Sequence, residues 1–237
     1  MDAAPPARIH LLPAKEAPYV VIIRRKPSKT FHIIRWNVEH DEFEHGSWFT
    51  GHIYVCRSDV SFDGKWMVYM ARGAGGALWN GVCLLPYLKT YLEADAPDCW
   101  GGGGHWRDSQ TLVTDSWTTT KGAAPFRIEK GGSNRMKRDG WIHNEKKKSW
   151  HWQFHPRGAT LEASYHKYFF DFEFRLREFP ELLDKEVKCA TFAANGDLVF
   201  ARLGCVYRYS RNDLRKAKPG FTADLNELTR EMTGAGK

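Results

Sequence analysis

The sequence predicts an all-β fold in a single domain spanning residues 1–237, and three observations predict it. The first is the stretch Ser58-Asp-Val-Ser-Phe-Asp-Gly-Lys-Trp-Met-Val-Tyr-Met-Ala71, where an Asp63-Gly64 turn leads into Trp66, Val68 and Met70 alternating with Met67, Tyr69 and Ala71. That period of two is the spacing of a pleated, half-buried strand. The second is the recurrence of short apolar and aromatic runs, each bounded by Gly, Pro, Asn or Asp. The third is the return of the turn-and-strand phrase in Cys189-Ala-Thr-Phe-Ala-Ala-Asn-Gly-Asp-Leu-Val-Phe-Ala-Arg202. A chain of 237 residues is long enough to bury a core without disulfide or metal staples.

In chain order, Arg8 to Pro13 begins a short strand. Tyr19 to Arg24 and Thr30 to Trp36 are two runs across the turn set Lys26-Pro-Ser-Lys29, which is the pattern of a hairpin. The polar stretch Asn37 to Gly46 reads as a reversal, and Trp48 to Val55 returns toward the Asp63-Gly64 turn. Leu78 to Leu85 is a strand ended by Pro86, which has no ladder donor. Tyr87 to Ala94 reads either as one helical turn or as extended chain. Four successive glycines, Gly101 to Gly104, suit a place where backbone crowds a neighbour, or a flexible lid. Asp108-Ser109-Gln110 turns the chain into Thr111 to Trp117. Phe126 to Ile128, Trp141 to His143, Trp150 to Phe154, Thr160 to Tyr165 and Phe169 to Leu176 follow as short strands. Pro180 to Lys188 reads as loop or as a brief helix, and Gly204 to Tyr209 is a further strand. In the tail, Leu225, Leu228 and Met232 fall on one helical face, with Asp224 and Glu227 at capping-box spacing; a closing edge strand is the alternative.

The chemistry legible in the sequence is sparse. His40-Asp-Glu-Phe-Glu-His45 collects metal-capable side chains, but without ligand spacing elsewhere it reads as a solvated loop. Trp150-His-Trp-Gln-Phe-His155 reads as a strand with an aromatic face and a polar face. The glycine run is not followed by Lys-Ser/Thr, so it is no phosphate cradle. No Gly-x-Ser-x-Gly or His-Glu-x-x-His pattern marks a nucleophile or a metalloprotease, so the expectation is a protein that is not an enzyme and has no cofactor and no metal. The five cysteines are odd in number, widely spaced and without a C-x-x-C pair, which reads as reduced packing residues of a cytoplasmic protein. No run approaches a membrane span and nothing reads as an export signal, so no membrane partner is expected.

Charge and aromatics point outward. The formal charge is +7 and there are ten tryptophans. The basic stretch Lys121, Lys130, Arg135, Lys137, Arg138, Lys146, Lys147 and Lys148, interleaved with Trp141 and Trp150, together with His105, Trp106 and Arg107, is the candidate binding region. Basic side chains alternating with aromatics are what nucleic-acid grooves use. Exposed tryptophans also suit stacking on sugars.

Ser61-Phe-Asp-Gly-Lys-Trp-Met-Val-Tyr69 and Phe192-Ala-Ala-Asn-Gly-Asp-Leu-Val-Phe200 resemble the inner hairpins of WD-like β-propeller repeat proteins. In that family the phrase is a Ser-Pro-Asp-Gly turn before a hydrophobic strand; here Phe62 and Ala194 stand where proline is usual. The resemblance implies a small β-propeller, and blades of roughly 40 to 50 residues would number about five. A β-sandwich or barrel is the rival architecture. The implied function is a non-catalytic platform or adaptor for a protein partner, with nucleic-acid binding through residues 121–148 and carbohydrate binding as alternatives.

Overall fold

The structure, a computed structural model, describes residues 4–96, 98, 101–114, 117, 120–121, 124–132, 139, 142–144, 149–154, 159–166 and 171–234. The all-β expectation holds. β1 (Arg8–Pro13), β2 (Tyr19–Arg25), β3 (Thr30–Asn37) and β4 (Glu42–Ile53) form an antiparallel meander. β4 is long enough to serve two layers: Glu42 to Thr50 pair with β3, and Gly51 to Ile53 pair with the far end of β6 (Trp66–Gly73). The second layer thus holds β5 (Asp59–Val60), β6, β7 (Leu78–Leu84), β8 (Thr90–Asp95) and β11 (Thr120–Lys121) on the outer side of β8. β9 (His105–Trp106), β10 (Thr111–Thr114) and β12 (Arg127–Lys130) make a third, in which β10 and β12 run parallel. β13 (Ile142–Asn144), β14 (Ser149–Phe154), β15 (Leu161–His166) and β16 (Asp171–Leu176) form a fourth. The fifth consists of β17 (Val187–Phe192), β18 (Leu198–Arg202), β19 (Cys205–Tyr209) and β20 (Phe221–Asp224), with the short helix α1 (Arg211–Lys216) beside it, and the single turn α2 (Arg230–Thr233) that follows is bonded to β4 of the first layer. Among the described residues no sheet closes on itself, and no helix is long and apolar enough to cross a membrane.

The layers pack face to face, and the period of two explains how. On β2, Val20 and Ile22 point into a core shared with Val199, Ala201 and Val206 of the fifth layer. Val21 and Ile23 point the other way, onto Met67, Tyr69 and Cys83 of the second. On β18, Leu198 and Phe200 face Leu161 and Leu176 of the fourth layer, while Val199 and Ala201 face β2. On β6, Val68 joins Val82, Leu92, Trp106 and Leu112 against the third layer. The packing order is therefore fourth, fifth, first, second, third. Strands covered on both faces need unbroken apolar runs, which is why Val20 to Ile23 and Leu198 to Ala201 contain no polar residue.

This corrects the reading of Trp66 to Ala71 as half-buried, because Met67 to Ala71 are buried on both faces. Three other expectations change. Glu42 to His45 belong to β4 rather than to a loop, since the reversal needs only residues 38–41, with Asp41 at φ 56°. Tyr87 to Ala94 resolves as extended chain, mostly β8. The tail is edge strand β20 followed by a single helical turn at α2; Asp224 accepts from Asn226 N at 2.8 Å and so turns the chain instead of capping a helix. The side chains of Trp150 to Phe154 lie outside what is described. Gly103 bears out the crowding reading of the glycine run, because a Cβ there would lie 2.2 Å from Arg57 O.

The two matching phrases both form turns. Gly64 has φ 74° and donates to Ser61 O at 2.8 Å, and Gly196 has φ 85° and donates to Ala193 O at 2.9 Å. The loops differ by one residue: Val60 pairs with Met67, whereas Phe192 pairs with Leu198.

Candidate interaction surface

At the end of the second layer, Trp66 opens β6 directly across from Leu84, the last residue of β7. Alternation puts both on the face toward the third layer, where Trp66 packs against the core shared with it. The β7–β8 register shifts between Val82 and Cys83, whose partners are Leu92 and Thr90. Tyr91 is the extra residue of that bulge, and a bulge re-aims its side chain. Its ring meets Trp66 edge-on, with centroids 5.2 Å apart and planes at 68°. Trp66 leans in turn on Phe126 (5.4 Å), and Phe126 on Trp106 (4.9 Å). The outer members are open to solvent: Leu84 is 50%, Tyr87 53% and Tyr91 50% exposed.

The backbone beneath is tied down. Ser61 Oγ accepts from Trp66 N at 2.9 Å and donates to Asp63 Oδ1 at 2.6 Å. Lys65 O accepts from Leu85 N at 2.9 Å, joining the two turns that carry Trp66 and Leu84. Tyr87 N closes a turn on Leu84 O at 3.0 Å, and that turn is pinned to β4 through Ser47 N to Pro86 O (3.2 Å) and Leu88 N to Ser47 Oγ (2.9 Å). Exposed aromatics on a braced frame bind with little ordering cost.

Charges around this surface are largely paired locally. Lys65 Nζ lies 3.2 Å from Asp63 Oδ2, Lys15 Nζ lies 3.0 Å from Asp139, and Arg107 grips Glu129 with two bonds of 2.7 and 2.6 Å. The Arg107 hydrogen bonds hold the Glu129 carboxyl below the usual carboxylate range. Lys89 and Arg127 stand exposed at the rim.

The residues singled out from sequence are not brought together here. Trp106 is fully buried and His105 nearly so, as part of the packing between second and third layers. Trp106 N also donates to the buried Asp59 Oδ2 at 2.7 Å. Arg107, whose backbone N donates to Thr111 O, is engaged through its guanidinium by Glu129 across from Val113; Lys130 follows, exposed, opposite Thr114. Lys121 lies in β11 across from Glu93. Arg135, Lys137, Arg138, Trp141, Lys146, Lys147 and Lys148 lie outside the described residues.

A second cluster is internal. His32 on β3 has no solvent exposure and lies parallel to Trp48, with centroids 4.2 Å apart. His32 Nε2 and His45 Nδ1 share a hydrogen bond of 3.0 Å. Burial pushes the His32 imidazole down to about 4 and lowers His45 as well. Two imidazoles do not make a metal centre, and among the described residues no three metal-ligating side chains converge. Burial pushes the Cys83 thiol up to about 12, so it packs as an apolar group and is no nucleophile at neutral pH.

No known protein family matches the chain, and no curated protein does. Among solved structures, the chain is similar to an uncharacterized protein of Listeria monocytogenes EGD-e at 6% identity and a TM-score of 0.29, over 89% of this chain. It spans 61% of that protein's length. Likeness at that level carries no argument about function.

Proposed function

We propose that this protein is a non-catalytic platform, built like a small β-propeller from five face-packed layers, that docks a protein partner on the surface formed by Trp66, Leu84, Tyr87 and Tyr91. The observation that carries the reading is the exposed cluster itself. Large apolar groups stand half in solvent on turns that are hydrogen-bonded to the body of the molecule, and exposed apolar clusters of this kind mark interaction sites. Aromatic anchors are the residue types that dominate binding energy at protein interfaces. Local pairing of the nearby charges favours a partner segment that inserts apolar or aromatic side chains, with Lys89 and Arg127 meeting acidic groups at its rim. The succession of layers, each sharing one face with the next, supports the blade reading.

A photo-crosslinking side chain at Tyr87 tests this. The captured protein should disappear with Leu84→Asp and weaken by about 30-fold or more in affinity with Tyr91→Ala, the usual loss at an interface anchor, while the melting temperature stays unchanged. Capture insensitive to both substitutions overturns the proposal. So does a glycan-array signal that depends on Tyr91.

A further inference from the structure

Residues 225–234 run as a strap across one end of the first layer. Arg24 Nε donates to Leu225 O and Arg24 Nη2 to Asn226 O at 2.7 Å. Asn226 Oδ1 accepts from Ala7 N at 2.8 Å, and Glu227 pairs with Lys26 at 3.1 Å. At the far end Trp48 Nε1 donates to Thr233 Oγ1 at 2.9 Å, and Arg230 Nη2 donates to Thr50 Oγ1 at 3.2 Å. The outer half of this strap has little apolar grip: α2 is one turn with no buried residue, and Met232 is 68% exposed.

The strap holds a stack in place. Arg24 lies over Trp48 at 5.6 Å, and Trp48 lies flat on His32. Around His32, β2 contributes Arg24, while β4 contributes His45, Trp48 and the Ser47 carbonyl, 3.3 Å from Nδ1. The strap's own carboxylates are Glu227, which acts on Arg24 and pairs with Lys26, and Glu231, exposed on the turn α2. The charged groups that act on His32 are Arg24 and His45, both cationic when charged. Among the described residues no carboxylate is among the groups that act on His32, so a proton added there faces a buried guanidinium.

We propose that residues 225–234 are an acid-released strap, opened when a proton enters the His32–His45 pair and displaces Trp48 and Arg24 from their places under it. The sign follows from linkage. The closed state keeps His32 neutral, whereas an opened strap returns it toward the ordinary imidazole value of about 6.5. Closure is therefore fullest above that value and weakens as pH falls from it toward about 4, the value in the closed state. Each proton-coupled site changes the opening equilibrium by at most about tenfold per pH unit in that window.

Hydrogen–deuterium exchange of the full chain between pH 7 and pH 4.5, corrected for intrinsic exchange chemistry, reads this directly. Amides of residues 225–234 should gain exchange by several-fold to about tenfold per unit of falling pH, while those of β2 and β18 stay protected. His32→Asn should flatten that slope. Thr233→Val, a substitution on an exposed turn, should raise strap exchange at pH 7 and leave the slope intact. A pH-independent strap, a slope unchanged by His32→Asn, or simultaneous loss of protection in the strap and in β2 and β18 each overturns the proposal.

Discussion

Leu203 occupies the left-handed region at φ 49°, half exposed, beside Gly204 at φ 79° in the two-residue turn between β18 and β19. A turn of this shape asks for positive φ at both positions, and asparagine takes it more readily than leucine. Leu203→Asn should raise stability by about 1 kcal/mol, measured by denaturant unfolding. The backbone carbonyl that accepts from Asn226 Nδ2 at 3.0 Å is kept in this variant. The turns at Gly64 and Gly196 test the opposite sign. Valine at either should cost roughly 1 to 3 kcal/mol in backbone strain. At Gly64 the added Cβ would also lie 3.0 Å from Tyr19 Cβ, in the body of the first layer. Wild-type stability in both variants by denaturant unfolding would refute the strain argument.

At the scale of elements, one guanidinium joins the fifth layer to the β3–β4 turn of the first, beside the apolar core the two layers share. Arg208 on β19 reaches Asp41, in the β3–β4 turn, through Nε at 2.8 Å and Nη2 at 2.6 Å, and Asp197 through Nη1 at 3.1 Å. All three side chains are largely shielded, and hydrogen bonding to Asp41 drives the Arg208 pKa upward. Arg208→Ala strands two carboxylates against each other and should cost about 2 to 3 kcal/mol. Arg177→Ala, which removes one partner of the more exposed Glu162 on β15, should cost less than about 1 kcal/mol. Similar losses in thermal unfolding would refute the distinction. Much of the element inventory was legible, because Asp63-Gly64, Asn195-Gly196 and Pro86 act on their own neighbourhood. Pairings across layers were not. Asp41 and Arg208 are 167 residues apart. Tyr91 is the extra residue of a bulge against β7, and His32 is covered by Trp48 and His45 from the neighbouring strand; neither condition leaves a mark in the local pattern. The basic stretch was visible because charge is a property of composition, whereas an interaction surface depends on where the layers stop.

For the whole molecule, the alternation of adjacent side chains between different cores couples the layers. Ile22 and Ile23 are neighbours of one type, each essentially unexposed, yet Ile22 packs toward Val199 and Val206 of the fifth layer and Ile23 toward Met67 and Cys83 of the second. Removing either side chain to Cβ should cost roughly 2 to 5 kcal/mol. A modular array of layers would respond locally: Ile22→Ala would loosen the fifth layer alone, and Ile23→Ala the second alone. A body held together by strands with two buried faces responds as one, since β2 cannot leave one core without leaving the other. Both substitutions should therefore shift a single transition in which the amides of β6 and β18 lose protection together. Exchange measured near the midpoint, residue by residue, separates the two behaviours: protection lost in β18 while β6 stays protected in Ile22→Ala would show that the first layer does not transmit unfolding across its thickness.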